Sequence, residues 1–167
     1  MWIVLANHAV TVPQVHPILH RTKPSMKVQL ERINDAIQFR GSNGRYELNI
    51  ASKKEQEGIS PMEMVALATG GCSSIDVLMI LEKQRQEVGD FNVEVDAKRK
   101  EGGTSSEFTD VHLTFRVTGD VESEKVQRAI DLSLEKYCSV SKMIEKTADI
   151  SYTLFVNGEE VASVHLS

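Results

Sequence analysis

Two cysteines, Cys72 and Cys138, are the residues best suited to covalent chemistry in this chain. They stand far apart in sequence, so they form neither a Cys-x-x-Cys redox motif nor a closely spaced zinc pair. Two readings of them stay open. Free cysteine is among the most buried residue types, and both can be small core hydrophobes. Alternatively, folding brings them together as an attacking and a resolving thiol. A thiolate attacks the O–O bond of a peroxide and becomes a sulfenic acid, which the second thiol condenses to a disulfide. That chemistry needs Cys72 ionised near neutral pH, which an arginine or a helix N-terminus promotes. Asp76, four residues on, shares a helix face with Cys72. A carboxylate there raises a thiol's pKa, so its expected role is a cap or an ion pair with a basic group across the interface. The five histidines (His8, His16, His20, His112, His165) show no metal-ligand spacing, and no metal is expected.

Cys72 is carried by the stretch from Ser60 to Glu87. Ser60 can cap the first free amides, Pro61 fits the first helical position, and Glu63 completes a capping box. Val65, Leu67, Ile75, Val77, Leu78, Met79, Ile80 and Leu81 point almost all round the axis, which predicts a buried central helix. Thr69, Gly70, Gly71, Ser73, Ser74 and Asp76 interrupt it too much for a membrane span. The two glycines leave Cys72 without side-chain cover, where other backbone can approach. Gly89-Asp90 is the expected end, with Glu82 to Glu87 solvated and Lys83 and Arg85 suiting the helix dipole.

Strands flank this helix. Val28 and Leu30, then Ile37 and Phe39, then Tyr46, Leu48 and Ile50 alternate with polar residues, separated by turns at Asn34-Asp35 and Gly41 to Gly44. That is a three-stranded antiparallel meander, followed by a polar loop from Lys53 to Gly58. After the helix, Phe91, Val93, Val95 and Ala97 pair with Val111, Leu113, Phe115 and Val117 as a long hairpin, turning at Glu101 to Thr104. Asp120 or Ser123 can cap a second helix with Val126, Ile130, Leu134 and Tyr137 on its core face and Cys138 at its end. Ser139 and Ser141 break or recap the chain before a short helical piece, Lys142 to Thr147. A strand with Ile150, Tyr152, Leu154 and Val156 follows, then an Asn157-Gly158 turn and a tail that can add a short strand. The order predicts an α+β domain over residues 26–167, without regular βαβ alternation.

Residues 1–25 hold three of the four prolines and no acidic residue, and are expected to be a poorly ordered extension, with Met26 a candidate internal start. No Lys or Arg precedes their apolar run, as a signal peptide would require. A net charge of −5 argues against a nucleic-acid surface, and two cysteines do not make a disulfide scaffold.

The run Ser-Pro-Met-Glu-Met…Gly-Gly-Cys-Ser-Ser-Ile-Asp-Val-Leu…Lys-Gln-Arg-Gln, joined to Glu-Lys-Tyr-Cys-Ser-Val and Lys-Thr-Ala-Asp-Ile-Ser-Tyr, resembles the OsmC/Ohr family, and within it an OsmC-like branch. The similarity covers about Met26 to Gly158. The resemblance implies antiparallel strands around a long buried central helix plus a second helix, in an intertwined homodimer. It implies thiol-dependent reduction of organic or hydrogen peroxides, with Cys72 the nucleophile and Cys138 resolving, at the dimer interface. It implies no metal or cofactor, an external dithiol as reductant, a cytoplasmic setting, and neither nucleic acid nor membrane as partner. The family's active members place a glutamate directly after the helix-opening proline, where this chain has Met62. Glu63, one residue later, is turned by about 100° and suits the capping box. The family's activating arginine comes from the early strands or the following loop; Arg45, with Arg40 beside it, is the candidate here. Arg45 and Glu63 are therefore the supporting candidates. The competing reading is a non-enzymatic dimer, stress-associated or holding a small apolar ligand at its interface, and a slow thiol sensor is a third.

Overall fold

Hydrogen-bonding signals at its two ends decide the length of the central helix. The computed structural model describes residues 25–35, 37–52, 56–102 and 106–166. The expected extension therefore lies, Ser25 apart, outside the described residues, as do Lys53 and the Gly103-Thr104 part of the long hairpin's turn. Helix α1 spans Pro61–Lys83. At its start Ser60 Oγ accepts from the Glu63 amide while Glu63 Oε2 accepts from the Ser60 amide at 2.7 Å, the reciprocal capping box. It ends earlier than Gly89-Asp90. Arg85 takes a left-handed φ of 56°, and its amide and that of Gln86 close on Glu82 and Leu81 carbonyls. Gly89 and Asp90 lie instead inside a strand.

The first three strands, β1 (Gln29–Arg32), β2 (Gln38–Ser42) and β3 (Glu47–Ala51), form the expected antiparallel meander. The second sheet has the order β4-β5-β6-β7, from Glu87–Arg99, Phe108–Asp120, Asp149–Val156 and Glu159–Leu166. It is mixed rather than wholly antiparallel, because β5 and β6 run parallel. A parallel pair needs a crossover, and the helical residues between them supply it. Their inner faces match residue for residue: Val111 opposite Ile150, Leu113 opposite Tyr152, Phe115 opposite Leu154 and Val117 opposite Val156. All eight are buried and form the core with Val77 and Leu81 of α1.

The crossover holds three pieces. Helix α2 spans Ser123–Leu132, with Glu122 at its cap position and no side-chain cap, so neither Asp120 nor Ser123 caps it. A π-helical turn follows over Ser133–Tyr137, then α3 over Ser139–Ile144, which starts earlier than the expected Lys142. Val126, Ile130 and Leu134 are buried as expected, but Tyr137 is half exposed. The π turn rotates it off the core face and puts Cys138 there instead.

Within the single chain α1 is buried on one side only. Thr69, Gly70, Ser73, Val77 and Leu81 face the core, whereas Leu67 and Ile75 stay 60% and 62% exposed and Met79 is half exposed. The first half of the buried stripe (Thr69, Gly70, Ser73) is made of small residues, so the helix sits close to the sheet there. A Cβ on Gly70 would lie 2.8 Å from Val95 Cγ2. Gly71, one residue on, has nothing within 4 Å of such an atom and opens onto the exposed side.

Candidate active site

Cys72 lies at the border between the buried stripe of α1 and its exposed apolar side, and is half buried. The polar residues around it do not disrupt the helix, because their hydroxyls bond back to the preceding turn. Ser73 Oγ donates to the Thr69 and Gly70 carbonyls at 3.0 Å, and Ser74 Oγ to Gly70 at 2.6 Å. Neighbouring Asp76 is positioned from the other helical layer. Ser133 Oγ lies 3.3 Å from both the Ser73 carbonyl and Asp76 Oδ2, tying the π turn to α1.

Cys138 is placed by the same turn. Its amide donates to the Ser133 carbonyl at 2.8 Å, closing the wide π turn. Its own backbone is extended and it becomes the N-cap of α3, its sulfur accepting from the Ser141 amide at 3.4 Å. Cys138 is completely buried. Burial pushes its thiol pKa above the usual 9.0, the Ser141 hydroxyl and amide pull it back, and the Cys72 sulfur raises it further. The Ser141 hydroxyl is itself buried with no hydrogen-bond partner of good geometry among the described residues.

The two helical layers thus bring three groups to one point. The sulfurs of Cys72 and Cys138 and a carboxylate oxygen of Asp76 all lie within 4.8 Å of one another. A formed disulfide needs about 2.05 Å between sulfurs, so closure asks for a short movement. Asp76 lies in mid-helix rather than at a cap, and within the chain it is the third member of the thiol cluster. Its i, i+4 spacing from Cys72 was the signal. Ser133 had no signal beyond being a small polar residue beside an apolar helix face, and Ser141 was legible only as a break or recap of the chain.

The supporting candidates are not brought to the thiols. Glu63 is engaged by the Ser60 amide at the start of α1, more than three turns of helix before Asp76. Arg45 is exposed in the β2–β3 turn, with its amide on Asn43 Oδ1, and Arg40 pairs with Glu47 at 3.7 Å. No Lys, Arg or His of the same chain hydrogen-bonds or ion-pairs with Cys72, Asp76 or Cys138 among the described residues.

A groove of about 550 Å³ runs between α1 and β4, lined by Glu63, Leu67, Gly71, Leu78, Phe91 and Val93 among others. Its walls are mostly apolar side chains of the exposed side of α1.

Comparison with known proteins places this geometry. The family model described as OsmC-like protein matches residues 51–153, which include both cysteines. Protein YhfA of Escherichia coli K12 is 50% identical over 95 residues, covering 56% of this chain and 70% of that protein. The crystal structure of a hypothetical protein from Aquifex aeolicus VF5 superposes with a TM-score of 0.74 at 31% identity, covering 83% of this chain and all of that one. The organic hydroperoxide resistance protein OhrB of Bacillus subtilis superposes with a TM-score of 0.57 at 20% identity, covering 78% of this chain and 98% of that one, a likeness of fold. The family match spans well over half of the sequence and contains the whole thiol cluster together with Ser133 and Ser141. This chain belongs to the OsmC-like protein family.

Proposed function

We propose that the protein reduces organic or hydrogen peroxides through its dithiol, with Cys72 attacking and Cys138 resolving. The observation that carries this reading is the approach of two sulfurs from different helices to within 4.8 Å. In the reaction the Cys72 thiolate attacks an oxygen of the hydroperoxide. The O–O bond breaks, the leaving alkoxide takes a proton and departs as an alcohol, and Cys72 becomes a sulfenic acid. Cys138 then attacks that sulfur, water leaves, and a disulfide forms. An external dithiol returns both thiols. Half-buried Cys72 is the sulfur that a substrate can reach, and wholly buried Cys138 is shielded from direct oxidation. This supports the assignment of roles.

A thiolate nucleophile calls for a cation beside it. In this reading a second copy of the chain supplies it, Arg45 being the first candidate and Arg40 the second, from the exposed three-stranded sheet. The same homodimer covers the apolar side of α1. The setting is cytoplasmic.

The test is a thiol count. Reduced, chelator-treated protein is mixed with stoichiometric alkyl hydroperoxide. Two thiols per chain should be lost, none in Cys72→Ser, and Cys138→Ser should accumulate a sulfenic acid that a dimedone probe traps. Thiols unchanged at millimolar peroxide would overturn the reading.

The competing reading, a non-enzymatic dimer holding a small apolar ligand, is favoured by the groove between α1 and β4 and by Met62 in place of the family glutamate. Under it the thiols stay inert, while an apolar fluorophore is taken up in the groove.

A further inference from the structure

The thiol cluster has the composition of a metal site. We propose that Cys72, Asp76 and Cys138 bind one divalent cation of borderline softness, Zn²⁺ above others. The ligand atoms come from two elements, α1 and the end of the π turn, and already lie within 4.8 Å of one another. With Zn–S near 2.3 Å and Zn–O near 2.0–2.2 Å, donors of a tetrahedral site stand about 3.3–3.8 Å apart. Closing to that spacing needs a contraction of the order of 1 Å, within reach of side-chain rotation. Two sulfur ligands exclude Mg²⁺ and Ca²⁺, which take oxygen shells. Three protein ligands leave a fourth tetrahedral position for water.

The arrangement has features that a chance grouping lacks. Cys72 and Asp76 are i and i+4 on a rigid helix, so they present a fixed bite. Asp76 is oriented by Ser133 Oγ at 3.3 Å, and Cys138 by the Ser141 amide at 3.4 Å, which are the outer-shell bonds that hold metal ligands in place. Three groups that become anions are gathered here, and none ion-pairs with a basic side chain of the chain among the described residues. A dication offsets two of their three charges.

Metal binding at this point regulates the chemistry proposed above, and that part rests on the dithiol reading. Zn²⁺ engages the sulfur lone pair that would attack peroxide. Conversely, when one hydroperoxide oxidises both thiolates, two electrons pass to the O–O bond, two protons are taken up, and alcohol, water and a disulfide result. The disulfide leaves Asp76 as the sole charged ligand, and the ion is released.

The experiment uses the full chain, reduced and stripped with a chelator, titrated with Zn²⁺ in competition with a chromogenic chelator. Retention of one Zn²⁺ per chain is expected, with Co²⁺ giving thiolate-to-metal charge transfer and tetrahedral d–d bands. Cys138→Ser and Asp76→Asn should each weaken Zn²⁺ binding by 10-fold or more, and Ser133→Ala by about 10-fold. Failure of folded, reduced wild-type protein to retain Zn²⁺ overturns the site. So does binding that survives the double change Cys72→Ser and Cys138→Ser, since the ion is then held elsewhere. The thiol count on metal-free protein reads the peroxide reaction separately. Zinc bound by thiols inert to peroxide keeps the site and overturns its regulatory role, whereas peroxide-reactive thiols without zinc overturn this proposal alone.

Discussion

Cys138 and Tyr152 are held neutral by the same physical cause, and that has a measurable consequence. Burial raises the Cys138 thiol above its ordinary 9.0. Burial first, then a 2.6 Å hydrogen bond to Asp131, raises the Tyr152 phenol well above its ordinary 10.0. For both groups the unfolded chain releases its proton at lower pH than the folded one. Their stabilising contribution is therefore complete below about pH 9 and is lost as pH climbs past the unfolded values towards the folded ones. Tyr152→Phe should cost about 1.5–3 kcal/mol at neutral pH, the value of a hydrogen bond to a charged acceptor. It should also flatten the alkaline decline, because one of the two groups no longer titrates. Urea unfolding from pH 7 to pH 11 checks this. Parallel pH slopes for wild type and variant would show that Tyr152 is not responsible. At this scale the sequence was readable where chemistry and spacing coincide. Cys72 with Asp76 at i+4 was visible as a shared face, although Asp76's place beside Cys138 was not. Ser133 was hidden, and Ser141 was readable as a break in the helix but not as a partner of Cys138, because a buried serine has no pattern of its own until the partner it bonds is known.

Helix α1 and the π turn position the chemistry, and each has one feature on which the rest depends. Gly70 lets α1 sit against β4, and a methyl there would press to 2.8 Å from Val95 Cγ2. Gly70→Ala should therefore destabilise by about 1–3 kcal/mol through overpacking, despite the better helix propensity of alanine. Chemical denaturation measures it. If Gly70→Ala proves more stable, the helix does not approach the sheet this closely. The π turn has a legible cause. Val126, Ile130, Leu134 and Cys138 recur every four residues, and on an α-helix each such step drifts by about 40°. A wider turn absorbs the drift before it reaches Cys138, and Tyr137 is turned outward as a result. Period-two alternation revealed the strands and the capping box revealed the start of α1. Alternation identifies a strand but not its neighbour, so the parallel pairing of β5 and β6 was not readable. The end of α1 was missed because a left-handed arginine carries no signal, unlike a glycine.

Taken whole, a single chain leaves too much apolar surface bare. On α1, Leu67, Ile75 and Met79 are exposed, and on the three-stranded sheet and its β2–β3 turn so are Leu30, Leu48 and Tyr46. Monomers rarely expose contiguous patches of this kind. The all-round apolarity of α1 was legible in its sequence, and one chain covers only half of it, so the remainder fits the proposed second copy. A two-fold dimer in which each sheet lies over the other chain's α1 would carry Arg45 of one copy towards Cys72 of the other. That crossing can be tested by mixing. Arg45→Ala should slow peroxide oxidation of Cys72, and Cys72→Ser should abolish it. In a dimer with sites built across the interface, a heterodimer of the two variants has one complete site, formed by Cys72 of the first and Arg45 of the second. After random exchange, half the dimers are mixed, so fast thiol loss should return at about a quarter of the wild-type sites. Sedimentation of the mixture confirms that dimers are present. Were Arg45 to serve its own Cys72, the mixture would show no gain over the average of the separate variants, and the crossed arrangement would fall even if the dimer stood.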